Sequence, residues 1–250
     1  MRSRIFNILF YAYSFVFLLG TLPLVLLPSR RPMARGLALW ARGVRGLMRR
    51  VMGIRVTIEG LDRLPPRGAY ILAAKHQSEC DGILLLATVP DLTAIAMKEL
   101  TRLPLVDPIL RKLEMILIDT EGGRSARDTL IDSARQAARA GRPIVIYPEG
   151  TLMAVGHAGR YRAGVYHLAR ELDLPVYPVA TNVGLRWDRR SPAKQPGAAT
   201  VEILPPLTAG DDKAAFMRQL EEILETRSNI LAADQMRLEG RTFTRPACPP

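Results

Sequence analysis

The sequence predicts an α/β domain with a mixed, largely parallel central sheet flanked by helices, preceded by an N-terminal membrane-associated helical segment. Three observations support this prediction. From residue 53 onward, apolar runs of strand length alternate with runs of helical periodicity, as in chains that form a mostly parallel sheet. Residues 5–27 contain no charged side chain. Residues 1–58 contain ten arginines and no acidic residue, so this apolar end of the chain is also its basic end.

The uncharged run from Ile5 to Leu27 could form one helix about 34 Å long, enough for a bilayer core of about 30 Å. Pro23 interrupts it, and the part before Gly20 spans only about 22 Å. A full span and a helix held in one leaflet therefore both stay open. The run is too long for a signal peptide, and arginines follow where a cleavage site would lie. Those arginines favour a cytosolic position for the rest of the chain.

Residues 35–51 carry an apolar stripe opposite a basic face. The stripe comprises Leu37, Trp40, Val44, Leu47, Met48 and Val51, and the basic face comprises Arg35, Arg42, Arg45, Arg49 and Arg50. This pattern predicts an interfacial helix whose apolar face enters an anionic membrane surface, where each arginine contributes about 1 kcal/mol. The alternative is a helix packed on the domain with its basic face in solvent.

The remaining elements follow from alternation and turn signals. We predict strands at residues 54–58, 69–74, 92–97, 115–118, 144–147 and 175–180, with an edge strand at 200–204. We predict helices at residues 81–88, 103–113, 124–139, 164–172 and 213–231. We therefore assign residues 1–52 to a membrane anchor, 53–231 to the α/β domain and 232–250 to a C-terminal tail.

Charge and composition exclude several function classes. Residues 59–250 contain twenty-five basic and twenty-four acidic residues, so the body of the protein is nearly neutral. Basic residues are not interleaved with aromatic ones, and we expect no nucleic-acid partner. Three histidines without zinc-like spacing, and two cysteines far apart in the chain, provide neither a metal site nor a disulfide framework. We expect no metal and no cofactor.

The most informative stretch is residues 75–81, at the end of the second predicted strand. On a continuous helix, His76 and Asp81 would lie about 140° apart. They can meet only if His76 lies in the turn and Asp81 in the first turn of the next helix. Asp81 would then orient one ring nitrogen, and the other could take a proton from a hydroxyl group. Alternatively, Ser78 and Asp81 form a helix capping box, with Ser78 as N-cap and Asp81 at N3.

Two further polar clusters follow predicted strands. Lys98 and Glu99 come after the third strand, and residues 147–151, Tyr-Pro-Glu-Gly-Thr, come after the fifth. Because sites in such sheets gather at the carboxyl ends of the strands, we expect the three clusters to converge. Taken alone, Glu149 could also be an ordinary turn residue.

Together these residues resemble the glycerolipid acyltransferase family, in particular its bacterial 1-acylglycerol-3-phosphate acyltransferases. His76 and Asp81 match the family's His-x4-Asp motif, and residues 147–151 match its Phe-Pro-Glu-Gly-Thr block. Residues 174–179 look like a later Val-Pro-Val-x-Pro-Val block, and residues 162–165 are similar to a basic-x-Gly-Val element. The resemblance extends from about residue 54 to residue 231.

The resemblance implies transfer of a fatty acyl group from acyl-CoA or acyl-carrier protein to the sn-2 hydroxyl of 1-acylglycerol-3-phosphate. The product would be phosphatidic acid, made at the cytoplasmic side of the bacterial inner membrane. His76 would be the general base, worth about 10²–10⁴ in rate, and Asp81 would orient it. Glu149, Gly150 and Thr151 would line the acceptor pocket.

Two positions differ from the family pattern. Thr120 and Leu152 stand where arginines are usual, and those arginines are thought to hold the acceptor's phosphate. We expect other cations to substitute for them, because arginine is the usual phosphate ligand. The candidates are Lys98, Arg124, Arg160 and Arg162. A phosphate-free acceptor, such as a lyso-ornithine lipid, is the alternative substrate.

Two other chemistries compete with this interpretation. Cys80 could accept the acyl group covalently with His76 as its base, although a small buried side chain is the simpler interpretation. A non-catalytic adaptor could bind membranes through the basic amphipathic helix, but it would leave the strand-end clusters unexplained. His157 and His167 are expected to be structural.

Overall fold

A seven-stranded sheet and seven α-helices make up the computed structural model, which describes residues 1–102, 105–118, 123–189 and 191–244. The side chains of residues 97, 99 and 123–127 lie outside that description. The strands are β1 Ile54–Glu59, β2 Ile71–Ala74, β3 Thr93–Met97, β4 Ile116–Ile118, β5 Ile144–Ile146, β6 Val176–Thr181 and β7 Gly197–Ile203. The helices are α1 Arg2–Thr21, α2 Arg31–Leu47, α3 Asp81–Thr88, α4 Val106–Lys112, α5 Gly123–Arg139, α6 Gly164–Leu172 and α7 Lys213–Leu238.

The sheet has the strand order β1-β7-β6-β2-β5-β3-β4 and is parallel except between β6 and β7. The predicted mixed, largely parallel sheet is therefore confirmed. The short strand β2 lies between β5 and β6, and all four of its residues are buried. Because these three strands run parallel, the segments that leave their carboxyl ends lie side by side.

The prediction of an edge strand at residues 200–204 is wrong. β7 lies inside the sheet, because β1 pairs with it in parallel on one side, with Ile54 opposite Gly197. On the other side it pairs with β6, with Val179 opposite Ile203. The alternation of side chains in a strand reports which face is buried, and it does not reveal which strands lie alongside.

Helix α7 is longer than predicted. It begins at the N-cap Asp212, whose carboxylate accepts the Ala215 N–H at 2.9 Å, and it ends at Leu238, beyond the predicted end at residue 231. Ala232 is fully buried, and the Leu231 carbonyl accepts a hydrogen bond from the Asn182 side chain at 2.7 Å. Packing on the sheet therefore continues past residue 231, and the helix continues with it.

Helix α1 lies along the domain. The 3₁₀ turn Leu22–Leu26, which contains Pro23, reverses the chain between α1 and α2. The Trp40 indole N–H donates to the Ser14 hydroxyl at 3.1 Å, and Phe6 is buried edge-on against Trp187. The opposite face exposes large apolar side chains, namely Ile5, Ile8, Tyr11, Phe15, Val16 and Leu19. Over the described residues, one helical stretch, Arg2–Leu26, is long and apolar enough to cross a membrane by length and composition.

The prediction that the apolar face of α2 enters the membrane is wrong. Ala41, Val44 and Met48 on that face are fully buried and belong to a core cluster that includes residues of α3 and β1. The basic face is in solvent, apart from Arg45, whose guanidinium donates to the Val56 carbonyl at 2.9 Å. The alternative interpretation, a helix packed on the domain, is therefore correct, because a neighbouring helix covers the stripe before lipid can.

Candidate active site

A histidine and an aspartate meet where β2 leads into α3. β2 ends at Ala74, His76 lies in the following turn, and Asp81 is the first residue of α3. Nδ1 of His76 lies 3.2 Å from Oδ2 of Asp81. The chain therefore bends back between the two residues, and side chains that could not meet on a continuous helix come into contact.

The same carboxylate oxygen also organises the start of α3. Oδ2 of Asp81 accepts the backbone N–H groups of Gln77 at 2.7 Å and Ser78 at 2.8 Å. The predicted capping box is wrong in detail, because Cys80 occupies the N-cap position and the Ser78 hydroxyl accepts the Cys80 N–H instead. Three donors on one oxygen hold the carboxylate in place. The two alternatives left open by the spacing are therefore not exclusive: Asp81 stabilises the turn and contacts the imidazole.

His76 keeps one ring nitrogen available. Its side chain is 22% exposed, and its ring stacks on Tyr147 with the centroids 3.9 Å apart. Among the described residues, none forms a hydrogen bond with Nε2. Asp81 holds Nδ1 and Tyr147 limits the tilt of the ring, so Nε2 can be presented to a substrate hydroxyl.

Tyr147 itself is enclosed between His76 and the first turn of α3. Its hydroxyl is buried, lies 3.4 Å from where a Cβ on Gly82 would stand, and has no hydrogen-bond partner among the described residues. Burial raises the pKa of Tyr147, and the nearby Asp81 adds to the increase. The ring therefore stays neutral, and its main contact with the site is the stack on the imidazole.

The turn after β5 places the buried Glu149 against the main chain of His76. The Glu149 carboxylate is fully buried and accepts the N–H groups of His76 and Gly159, both at 3.2 Å, and the Lys75 ammonium at 2.6 Å. Burial raises the pKa of Glu149, and Lys75 opposes that increase. The carboxylate therefore holds the main chain of His76. The structure does not place it on the wall of an open pocket, where the resemblance would have it.

The rest of this turn is accessible. Gly150 and Thr151 are exposed, and Gly150 has a φ of +67°, a conformation that strains other residue types. The guanidinium Nε of Arg162 lies 3.0 Å from where a Cβ on Gly150 would stand, so this side chain covers the turn. The backbone N–H of Arg162 also donates to the Pro148 carbonyl at 2.8 Å. The structure thus brings Arg162 to the site.

The other predicted cations differ in position. Lys98 is exposed in a 3₁₀ turn that follows β3, and Arg160 is exposed in the loop before Arg162. Arg124 falls in the first turn of α5, and its side chain lies outside the described part of the structure. Thr120 lies outside the described residues altogether.

Comparison with known proteins identifies the family. An acyltransferase family model matches residues 55–182. The chain is 31% identical over 228 residues to a 1-acyl-sn-glycerol-3-phosphate acyltransferase of Pseudomonas aeruginosa, covering 90% of this chain and 88% of the relative. The chain belongs to this acyltransferase family. A 1-acyl-sn-glycerol-3-phosphate acyltransferase of Limnanthes douglasii is 27% identical over 194 residues, covering 77% of this chain and 68% of the relative. The crystal structure of a 1-acyl-sn-glycerophosphate acyltransferase from Thermotoga maritima shares the fold, with a TM-score of 0.76 at 20% identity over 98% of this chain and 100% of that one.

Sequence reasoning missed two residues that contact the two motifs of this acyltransferase. Lys75 is 1% exposed and joins Glu149 to Glu225 of α7. A lysine directly after a buried strand is a detectable signal for an internal ion pair, but nothing local indicates its partner 150 residues away. Arg189, in the loop after β6, donates to the Leu152 carbonyl at 2.5 Å, and no sequence pattern indicated that contact.

Arg162 therefore lies beside the exposed turn of the acyltransferase at Gly150, and Arg189 contacts the residue that follows the turn. No carboxylate among the described residues lies within ion-pair distance of either guanidinium. Leu152 stands where the resemblance leads us to expect an arginine. The guanidinium of Arg189, from another loop, donates to its backbone carbonyl. This edge of the site is positively charged and open.

The covalent cysteine alternative loses its structural basis. The Cys80 side chain is fully buried, with Sγ 3.1 Å from the Ser78 hydroxyl, and burial raises the pKa of its thiol. A protonated, enclosed thiol cannot attack an acyl donor. Within the described part of the chain, no group of three or more His, Cys, Asp or Glu side chains could hold a metal ion.

An apolar cavity of about 630 Å³ lies between the N-terminal helices and the domain. Its walls come from α1, α2, α3, β3 and α4, and they include Phe17, Leu18, Trp40, Leu86, Ala96 and Leu110. Leu86 follows Asp81 on α3 by five residues, a rise of about 7.5 Å. The acyltransferase thus has an apolar cavity of the size of a small-molecule site, and α3, which begins at Asp81, forms part of its wall.

Proposed function

We propose that this acyltransferase moves a fatty acyl group from acyl-CoA or acyl-carrier protein to the sn-2 hydroxyl of 1-acylglycerol-3-phosphate, giving phosphatidic acid. The observation that carries the proposal is the His76–Asp81 contact of 3.2 Å, with no hydrogen bond to Nε2 of the imidazole from any residue that the structure describes. Relatives named 1-acyl-sn-glycerol-3-phosphate acyltransferase match most of the chain and support the same substrate class.

The reaction follows from the placement of the imidazole. Nε2 of His76 takes the proton of the sn-2 hydroxyl as its oxygen attacks the thioester carbonyl carbon. Asp81 accepts the Nδ1–H and stabilises the imidazolium that forms, as the acid of a catalytic triad does. When the tetrahedral intermediate collapses, the carbon–sulfur bond breaks and the imidazolium returns the proton to the leaving thiolate. Atoms and charges balance without a cofactor.

The apolar cavity supports a fatty acyl substrate. Each methylene group removed from water contributes about 0.8 kcal/mol, so apolar walls favour a hydrocarbon chain over any polar ligand. Helix α3 connects the two parts of the site, because it starts at Asp81 and presents Leu86 to the cavity. A chain lying in the cavity would keep its carboxyl end toward the His/Asp pair.

The open positive edge supports a phosphate-bearing acceptor. Arg162 and Arg189 border the exposed turn at Gly150 and Thr151, and guanidinium groups bind phosphate in a bidentate manner. These two side chains would replace the arginines missing at Thr120 and Leu152. Glu149 would act as a positioning group by holding the main chain of His76. The exposed residues Gly150 and Thr151 would contact the acceptor.

We place the enzyme on the cytoplasmic face of the bacterial inner membrane. The outer face of α1 is apolar and exposed, while its inner face packs along the domain, which favours insertion into one leaflet over a full span. Exposed arginines of α2 and of the helical turn that follows it, among them Arg35, Arg42 and Arg49, would face anionic lipid. The positive charge that follows the apolar helix fits a cytoplasmic location.

A substrate panel tests the proposal. Purified enzyme in anionic vesicles is supplied with acyl-CoA or acyl-carrier protein and one of three acceptors: lysophosphatidate, lysophosphatidylcholine or a lyso-ornithine lipid. We expect turnover with lysophosphatidate and loss of about 10²–10⁴ in rate in His76→Ala, with membrane binding retained. Turnover with the ornithine acceptor alone would assign the other substrate. Vesicle binding without any turnover would support the adaptor.

A further inference from the structure

A buried ion cluster lies directly behind the catalytic turn. The Lys75 ammonium contacts Oε1 of Glu149 at 2.6 Å, Oε1 of Glu225 at 2.5 Å and the His157 carbonyl at 2.8 Å. Tyr161 donates its hydroxyl proton to the same Glu225 oxygen at 2.9 Å. Lys75 and Glu149 are almost fully excluded from solvent, and Glu225 is buried.

A buried ion cluster of this kind is weak evidence for a role in stability. Removing charges from water is costly, and apolar residues of similar volume usually replace a buried ion pair with equal or better stability. A lysine with two carboxylates therefore indicates a requirement for defined geometry, as buried polar groups do when they specify one arrangement. The geometry that the cluster fixes is that of the His76 main chain.

Two contacts hold the main chain of His76, and the first of them connects it to the cluster. The second oxygen of Glu149 accepts the His76 N–H at 3.2 Å, and the His76 carbonyl accepts the Met153 N–H at 2.7 Å. Side chains of successive residues in an extended segment point to opposite sides, so Lys75 enters the interior while His76 faces the site. The ammonium orients Glu149, and Glu149 in turn holds the peptide that carries the imidazole.

Helix α7 carries Glu225, the last residue in this series of contacts. It is fixed to the carboxyl end of β6 because the Ser228 hydroxyl accepts the Thr181 N–H at 3.2 Å, and Leu231 accepts from Asn182. Glu225 therefore approaches Lys75 from a rigid element. Glu221, one turn earlier on α7, is the other carboxylate close to the cluster.

We propose that Lys75 and Glu225 are positioning residues for His76, and that α7 thereby sets the placement of the catalytic base through Glu149. The inference rests on the proposed role of His76 as the base. Both side chains are buried, so neither is accessible to a substrate. Their effect should appear in kcat, because a misplacement of about 1 Å at a catalytic group can cost about 10²-fold in rate.

Two variants and a matched control test the proposal. Glu225→Leu removes one carboxylate and leaves the ion pair between Lys75 and Glu149. The double variant Lys75→Met with Glu225→Leu removes both charges other than that of Glu149. Glu202→Leu is the control, because Glu202 pairs with Arg227 of α7 at 2.5 Å and with Arg63, and it shares no hydrogen bond or ion pair with Lys75, Glu149 or Glu225 among the described contacts. We expect kcat to fall about tenfold in Glu225→Leu and about 10²-fold in the double variant, with both KM values within about twofold.

Hydrogen exchange of peptide 75–81 provides a readout that does not depend on activity. Exchange should accelerate in Glu225→Leu and in the double variant, and it should be unchanged in Glu202→Leu, which should also keep its kcat. Wild-type kcat and exchange in either folded variant would overturn the positioning role. If the wild-type enzyme transfers no acyl group, the proposed function fails, and the exchange data still decide whether Lys75 and Glu225 order the turn.

Discussion

Asp81→Asn separates the two tasks of the carboxylate. In the variant, the amide oxygen can replace Oδ2 and still accept the Gln77 and Ser78 N–H groups. Each of these hydrogen bonds changes from charge-assisted to neutral, a loss of about 1 kcal/mol per bond and about 2 kcal/mol in all. The fold should survive this loss. The imidazolium that forms at His76 loses its anionic partner, and we expect kcat to fall at least about 10²-fold, equivalent to about 2.7 kcal/mol.

The assay compares thermal unfolding with initial rates for the same preparations. Rates are followed as thiol release from acyl-CoA with lysophosphatidate in vesicles, normalised to folded protein. Asp212→Asn is the matched control, because Asp212 caps α7 through the Ala215 N–H far from His76. It should leave kcat unchanged and stability nearly unchanged, because asparagine caps a helix about as well as aspartate. Wild-type kcat in Asp81→Asn would show that the carboxylate only stabilises the start of α3.

Four further predictions follow from the site and the core. Tyr147→Phe keeps the stack on the imidazole and should keep kcat, whereas Tyr147→Leu removes the stack and should lower kcat about tenfold; equal rates in steady-state assays of the two variants would exclude the stack from catalysis. Arg189→Gln should raise KM for lysophosphatidate about tenfold, since one charged hydrogen bond is lost, and should leave KM for a phosphate-free lysolipid unchanged. Cys80→Ala should retain kcat because the enclosed thiol takes no part in the reaction, so an inactive but folded variant would revive the covalent alternative. Burial raises the pKa of Tyr70 from 10.0 to about 12. The folded state therefore keeps a proton that the unfolded chain releases. As a result, the free energy of unfolding should fall as pH rises from 10 to 12. Tyr70→Phe should flatten that part of the stability curve, as measured by urea unfolding.

Much of the fold could be predicted because local patterns encode it. Strand-length apolar runs and helical periodicity located the sheet and its flanking helices, and the parallel arrangement followed from their alternation. The ends of elements were less certain. The sequence pattern of α7 does not indicate that Ala232 packs on the domain, so its predicted end came too early.

The contact between His76 and Asp81 could be anticipated for a different reason. His76 and Asp81 are five residues apart, and a turn between a strand and a helix is a short-range feature with few possible geometries. The spacing could not decide between capping and orientation of the imidazole. The structure shows that one oxygen of Asp81 does both, because the Gln77 and Ser78 amides point at the carboxylate that contacts the ring.

By itself, the sequence determined the order and type of the elements, the apolar and basic character of the N-terminal segment and the motif residues. Only the tertiary structure decided what covers each surface and which distant residues meet. It placed the apolar stripe of α2 against α3, set β7 inside the sheet, and joined Lys75 to Glu225 across 150 residues. The physical reason is that periodicity and turn chemistry act over a few residues, whereas the partner of a buried face or charge depends on how the whole chain packs.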